Sequence, residues 1–363
     1  MKIGFFTDTY FPQVNGVTFT LEAWRRELER RGHEVSIYYP SGDYKPGVRE
    51  YPFRSVSLWF YPEYRMAFPL RVPRNTGGLD IVHQHGIYGM AAAGLRASWA
   101  HKTPRVLTFH TPGDEYIGYL PGSAVLSGLY RSAYLLWERR MFNAYGHVTT
   151  ASPVIRDRLI GNGVRDVEVL SNGIDLKMFS RVGAQEFRRR HGITGEKVIG
   201  FCGRLGYEKH VEDLIAAADL FDGTVLIAGA GPAEDYYKSL AKGKRNVKFL
   251  GFLPRETLKE FYSALDVFVF PSFCETQGLV ALESMACGTP VVAVPVLALK
   301  STVEDGVTGY HYPPKDVNGL LMRVEECYRG MGKLRAGCLK EARRNSVEAT
   351  VDTLEQIYQR LRK

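Results

Sequence analysis

Two glutamates separated by seven residues, Glu275 and Glu283, bracket the segment ETQGLVALE, directly after the apolar run VFVFPS. A strand followed by a glycine and a fresh helix start leaves backbone N–H groups unpaired at the positive end of the helix dipole, which suits a phosphate or diphosphate. The spacing predicts a helix opening at Leu279, with Thr276, Gln277 and Gly278 in the loop before it and Glu283 on its second turn. The two carboxylates then address different parts of one ligand, such as sugar and ribose hydroxyls. A helix with an acidic start and a solvated Glu283 is the plain alternative. A second segment, GRLGYEK at Gly203–Lys209, follows the strand-like run VIGFC. Arg204 and Lys209 become two cations at a strand end, an arrangement that neutralises a departing diphosphate. Taken alone, the segment also reads as a basic turn capping a helix. Gly16, in TYFPQVNGV, permits close backbone approach to an anion, though an ordinary strand–helix turn explains it too. His110, in TFHTPGD after another apolar run, is placed to donate a hydrogen bond to a sugar hydroxyl, to shield developing charge, or to serve the structure alone.

These residues need strands and helices that end where they stand. In the first half, Lys2–Phe6, Val35–Tyr39, Asp80–Gln84, Val106–His110 and Val148–Ala151 have strand character, separated by helical patterns at Gly16–Arg31, Gly86–His101 and Ser123–Tyr145. The rhythm returns in the second half, with strands at Lys197–Cys202, Thr224–Ala228, Val247–Leu250, Val267–Pro271 and Pro290–Val294. Strands alternating with helices predict an α/β fold of parallel sheets covered on both faces. The expected organisation is a first domain over residues 1–170, a second over 171–345, and a terminal helix over 346–363 free to pack on either. Ligands of such sheets bind outside the carboxyl ends of the strands, so the expected site is the cleft where the two sets of ends face each other.

The chain has 363 residues, long enough for two domains, and its 47 basic and 39 acidic residues give a net charge of +8. The surplus admits nucleic acid, an anionic membrane or a phosphorylated substrate. Five cysteines without a CxxC pair argue against a disulfide framework or a zinc site and for a reducing compartment. Asp8 interrupts the apolar run a signal peptide needs. The longest uncharged stretch, Ser284–Leu299, has 16 residues and two prolines, against about 20 apolar residues for a bilayer span. The expectation is a cytoplasmic protein without a membrane-crossing segment, one that needs neither metal nor cofactor.

The four segments, in this order, resemble the retaining glycosyltransferases of family four, which have the GT-B fold of two facing Rossmann-like domains. The family's paired glutamates match Glu275 and Glu283, its Arg/Lys pair matches Arg204 and Lys209, its glycine loop matches Gly16, and its strand-end histidine matches His110. The resemblance implies that Glu275 holds donor-sugar hydroxyls, Glu283 binds the ribose, and the amides of Gln277–Leu279 meet the diphosphate beside Gly203. It also implies a metal-free, front-face transfer in which the leaving phosphate accepts the acceptor's proton. Many members carry an aromatic residue where this chain has Gln277. SFCETQGL, FTDTYFPQVNGV and FHTPGDEYIGYLP are closer to diacylglycerol glucosyltransferases and related glycolipid synthases, which makes Asp114 and Tyr116 candidate acceptor contacts. A UDP-sugar donor, a lipid acceptor and contact with the inner face of the cell membrane follow as expectations. For membrane contact the chain offers Tyr44–Arg74, with eight aromatic and six basic residues, and the helical segment Leu126–Phe142. A soluble sugar acceptor and a nucleotide-sugar epimerase of the same fold are the enzymatic alternatives. A nucleic-acid-binding protein leaves the Glu275/Glu283 and Arg204/Lys209 pairs without a role.

Overall fold

The computed structural model describes the whole chain except residues 14, 59–60, 112, 114–123 and 194–196, and the side chains of residues 58, 61–64 and 124–127. The chain divides into two compact units, Met1–Gly173 together with Val347–Lys363, and Ile174–Ser346.

The first unit holds strands β1 (Lys2–Thr7), β2 (Glu34–Pro40), β3 (Glu50–Phe53), β4 (Ser55–Leu58), β5 (Tyr61–Ala67), β6 (Ile81–His85), β7 (Arg105–Phe109), β8 (Val148–Thr150) and β9 (Val167–Val169). Its helices are α1 (Gly16–Arg30), α2 (Gly89–His101), α3 (Ala124–Tyr145) and α4 (Pro153–Gly161). Seven strands form one parallel sheet in the order β3-β2-β1-β6-β7-β8-β9, and β4 and β5 make a small antiparallel ribbon. β1 after its exposed Lys2, and β6 throughout, are buried on both faces, as a helix-covered parallel sheet demands, although β6 carries His83, Gln84 and His85. Asn15 caps α1 by accepting from the Thr18 N–H at 3.0 Å, and Leu21, Trp24 and Leu28 form its buried stripe.

The second unit begins with α5 (Gln185–Arg190) and builds its sheet from β10 (Val198–Cys202), β11 (Thr224–Ala228), β12 (Val247–Gly251), β13 (Val267–Phe270), β14 (Val291–Ala293) and β15 (Gly309–His311). The order is β12-β11-β10-β13-β14-β15, all parallel. Helices α6 (Glu212–Ala217), α7 (Glu234–Leu240), α8 (Leu258–Ala264), α9 (Leu279–Ala286), α10 (Leu299–Thr302) and the long α11 (Val317–Arg344) cover it. The last helix, α12 (Val347–Leu361), belongs to the first unit, where Val351, Leu354 and Tyr358 join the core built on Ile3, Phe5 and Trp24. Gly173, at φ +81, makes room for this return: a Cβ there would stand 2.9 Å from the Val347 Cα.

The structure revises the reading of Tyr44–Arg74 as an aromatic surface. Tyr44 packs on Tyr10 and Phe11, and Tyr51 and Phe53 lie against Tyr38. The partners are aromatic residues of β2 and of the loop after β1, so these rings extend the sheet's packing instead of facing outward. Phe68 remains exposed, while Trp59, Phe60 and the side chains of Tyr61 and Tyr64 lie outside the described residues.

Candidate functional site

Strand order reverses between β10 and β13 in the second unit, and loops diverging from such a point leave room for a ligand. The loop after β10 carries Arg204 and Lys209; the loop after β13 carries Ser272, Glu275 and Gly278. They meet. The Phe273 N–H donates to the Glu208 carbonyl at 3.0 Å, and Lys209 Nζ donates to Glu275 Oε1 at 2.7 Å. The Ser272 hydroxyl donates to the same carboxylate oxygen at 2.8 Å. The Lys209 and Glu275 side chains are 14% and 16% exposed. Burial alone would pull the lysine pKa down, but the charge and hydrogen bond of Glu275 outweigh it and hold the ammonium protonated above its ordinary range. Arg204, half-exposed, sits 3.4 Å from Glu208 on the same loop.

What shapes this loop is a second glycine turn that the motif reading misses, AGAGP after β11. Gly229 lies at φ +129, and a Cβ there would fall 1.8 Å from the Gly203 carbonyl oxygen. The two backbones are stitched together by Gly203 N–H to Ala228 O (3.1 Å), Leu205 N–H to Ala230 O (2.9 Å) and Ala233 N–H to Leu205 O (2.8 Å). The Tyr237 hydroxyl adds a bond to the Gly206 carbonyl at 2.8 Å. The available signal was a pair of glycines directly after a strand.

Gly278 caps α9 in the left-handed region at φ +81, with no side chain bonded to the helix start. Its own carbonyl takes the Ala281 and Leu282 N–H groups, and the half-buried Leu279 opens the first turn. Thr302 holds the loop by donating to the buried Gln277 carbonyl at 2.6 Å, and Thr276 stands half-buried beside it. An uncapped helix start beside a lysine can hold an anion. Glu283 is on the second turn, as the spacing predicts, but it is buried rather than solvated. Tyr262 donates to one carboxylate oxygen at 2.9 Å, and Arg255 lies 3.5 Å from the other. Burial pushes the Glu283 pKa up, while Arg255 and the Tyr262 bond pull it back. Arg255 is the other residue the motifs omit; it stacks over Phe179 at 5.1 Å. Its signal was a cation in the turn after β12, GFLPRE.

In the first unit the order reverses between β1 and β6. Asp8, just past β1, accepts from the Tyr88 and Met90 N–H groups at 2.9 and 3.0 Å and so caps α2 from outside its own loop. Burial raises its pKa to about 6, and those two bonds lower it only in part. His110 follows β7 and meets His85 of β6, Nε2 to Nδ1, at 3.0 Å. Gly16 is the first residue of α1 and exposed. Asp114 and Tyr116 lie outside the described residues. The structure thus joins Lys209 and Glu275 directly, sets Arg204, Gly203 and the Thr276–Leu279 turn on the same pair of loops, and leaves His110 and Gly16 to the first unit.

The pKa values of His83 and His85 are well below 6.5 and that of His110 falls to about 4, each chiefly from burial. All three stay neutral in the folded chain, whereas an unfolded histidine titrates near pH 6.5. Below that pH the unfolded state binds more protons, so stability falls with pH from about 6.5 toward 4. Asp8 acts in the opposite sense between about pH 6 and 4, because its folded state holds the extra proton, but it is one group against three. The urea midpoint should drop between pH 7 and 5, and less steeply for His83→Phe. Equal slopes for the two proteins would contradict this.

Two parallel-sheet, Rossmann-like units with polar loops at the carboxyl ends of their strands define the GT-B class of glycosyltransferases, and solved members superpose on the chain. Anabaena HepE, determined in complex with UDP-glucose, aligns with TM-score 0.74 at 20% identity over 99% of each chain. The chain belongs to glycosyltransferase family 4: the family model of that name matches residues 14–178, and the model described as glycosyl transferases group 1 matches residues 183–345. It is an enzyme that transfers sugar. The alpha-monoglucosyldiacylglycerol synthase of Streptococcus pneumoniae is 30% identical over 89% of this chain and 78% of its own. The D-inositol 3-phosphate glycosyltransferase of Mycolicibacterium smegmatis is 28% identical over 92% and 83%.

Proposed function

We propose that this glycosyltransferase moves a hexose from a UDP-sugar to a hydroxyl of a lipid acceptor, such as diacylglycerol or a related glycolipid, with retention at the anomeric carbon and without a metal ion. The observation that carries the donor half is the Lys209–Glu275 contact beside the uncapped start of α9. Glu275 holds hydroxyls of the donor sugar and Glu283 holds the ribose. The amides of Gln277–Leu279 take the diphosphate, and Lys209 and Arg204 stabilise its charge as the glycosidic bond breaks. The leaving phosphate oxygen takes the proton of the acceptor hydroxyl while the new C–O bond forms on the face the leaving group vacates. His110 donates to a sugar hydroxyl.

The lipid acceptor is supported by the activity named for the pneumococcal relative and by the surface of α3. Residues 128–133 of that helix are exposed around its whole circumference. Leu129, Tyr130, Leu136 and Trp137 are 62, 45, 40 and 46% exposed, beside exposed Arg131, Arg139 and Arg140. Rings and aliphatic tips next to arginines suit an anionic bilayer surface, which the first unit would touch from the cytoplasmic side.

The test is a matrix of UDP- and GDP-sugars against diacylglycerol, phospholipid and soluble sugars, run in EDTA with product configuration read by NMR. The expected result is transfer from a UDP-hexose to lipid, unchanged by the chelator and with the donor's configuration kept. Transfer only to a soluble sugar, isomerisation of the donor alone, inversion, or loss of activity in EDTA would each overturn the corresponding part.

A further inference from the structure

β6 reads IVHQH, and strand alternation puts His83 and His85 on one face of the sheet. Both are buried, and Trp24 lies over them and His110, with ring centroids 5.8, 5.7 and 6.4 Å away. Phe5 of the adjacent strand closes the edge at 5.5 and 5.0 Å from the first two. His83 is fully accounted for: Nδ1 meets the Tyr358 hydroxyl and Nε2 the Thr108 hydroxyl, both at 2.6 Å. Hydroxyls donate or accept, so either tautomer of His83 fits.

His85 is more constrained. Its ring stacks on His110 at 27°, Nδ1 stands 3.0 Å from His110 Nε2, and its own Nε2 is buried without a partner among the described residues. Both rings are neutral, so a single hydrogen lies between the two facing nitrogens, carried by one or the other. If His110 Nε2 carries it, His85 must place its proton on Nε2, a buried N–H with no acceptor. If His85 Nδ1 carries it, the orphan is a lone pair. Orphaned buried N–H groups are the rarer fault. With Nε2 accepting from His85, the proton of the neutral His110 ring is on Nδ1.

We propose that His85 is a positioning residue for sugar transfer: it donates from Nδ1 to His110 Nε2 and so keeps the His110 proton on Nδ1, the nitrogen that donates to a sugar oxygen in the working enzyme. A neighbour that fixes which nitrogen is protonated sets what a histidine can do. The proposal rests on the reading that His110 addresses the donor sugar.

The experiment is long-range 1H–15N NMR of the full chain with labelled histidine, beside steady-state kinetics. Wild-type His110 should be protonated on Nδ1. His85→Phe should move the proton to Nε2 and lower kcat about tenfold or more, with the donor KM changed less than about twofold. His85→Asn, whose amide nitrogen reaches the position of Nδ1, should restore the wild-type tautomer and most of kcat. Wild-type His110 protonated on Nε2 overturns the proposal even if His85→Phe does not fold, and so does a His85→Phe enzyme with unchanged tautomer and kcat. Full activity in His110→Ala would overturn the reading of His110 itself, a result the tautomer measurement cannot produce.

Discussion

Lys209→Ala should lower kcat by about 10²–10³ while leaving the chain folded, because one preorganised charge at a developing anion contributes on that scale. The fold has reason to survive. Glu275 keeps the Ser272 hydroxyl at 2.8 Å and some contact with water, so no carboxylate is left buried and bare. Glu275→Ala should cost a similar factor for a different reason, losing the group that holds the ammonium in place and the proposed sugar contact. The two are in direct contact at 2.7 Å, so the double variant should be little worse than the poorer single one. Lys209→Arg tests whether charge alone suffices; a planar fork cannot take the position of a compact ammonium, and only partial activity is expected. Circular dichroism at matched concentration confirms folding. A Lys209→Ala enzyme with near-normal kcat would end the assignment of this pair to the transferring centre.

The candidate residues that were legible in sequence are charged side chains that follow the end of a strand. Lys209, Glu275 and Glu283 stand out because charges in the loops that follow VIGFC and VFVFPS, or inside the next helix, contrast with the apolar strand beside them. The α/β class was legible for a related reason: parallel strands buried on both faces write themselves as unbroken apolar runs. What remained hidden works through backbone or through chain-distant partners. Arg255 and Tyr262 surround Glu283 from other elements, and only the fold brings them within 3.5 and 2.9 Å. His83 and His85 sit inside IVHQH, a run whose burial was clear but whose ring contacts to Trp24 and His110 depend on α1 and β7. Tyr44, Tyr51 and Phe53 misled in the opposite direction. Aromatics beside lysines and arginines suit a membrane, yet here β2 supplies Tyr38 and Tyr39 as packing partners. Sequence proximity of rings and cations does not say which face they share.

Gly229→Ala, which alters no charged group, should slow the enzyme by about tenfold to a hundredfold. Two effects combine at this position. A φ of +129 is close to forbidden for a residue with a Cβ, a strain of about 1–3 kcal/mol. The added carbon would also fall 1.8 Å from the Gly203 carbonyl oxygen. That neighbour is backbone, so it cannot swing aside; relief requires the Gly203–Lys209 loop to move. Movement breaks or bends the bonds from Gly203 to Ala228 and from Leu205 to Ala230, and it carries Arg204 and Lys209 with it. A displacement of about 1 Å at a catalytic group costs on the order of 10² in rate. The expected outcome is a fall in kcat of about tenfold to a hundredfold together with a lower melting temperature. Gly243→Ala is the control, since it shares a left-handed φ of +88 but has nothing within 4 Å of the new carbon. It should lose stability by about 1 kcal/mol and keep kcat, which separates backbone strain from displacement of the cationic loop. Wild-type kcat in Gly229→Ala would mean that the loop after β10 yields without cost, and that the AGAGP turn does not position Arg204 and Lys209.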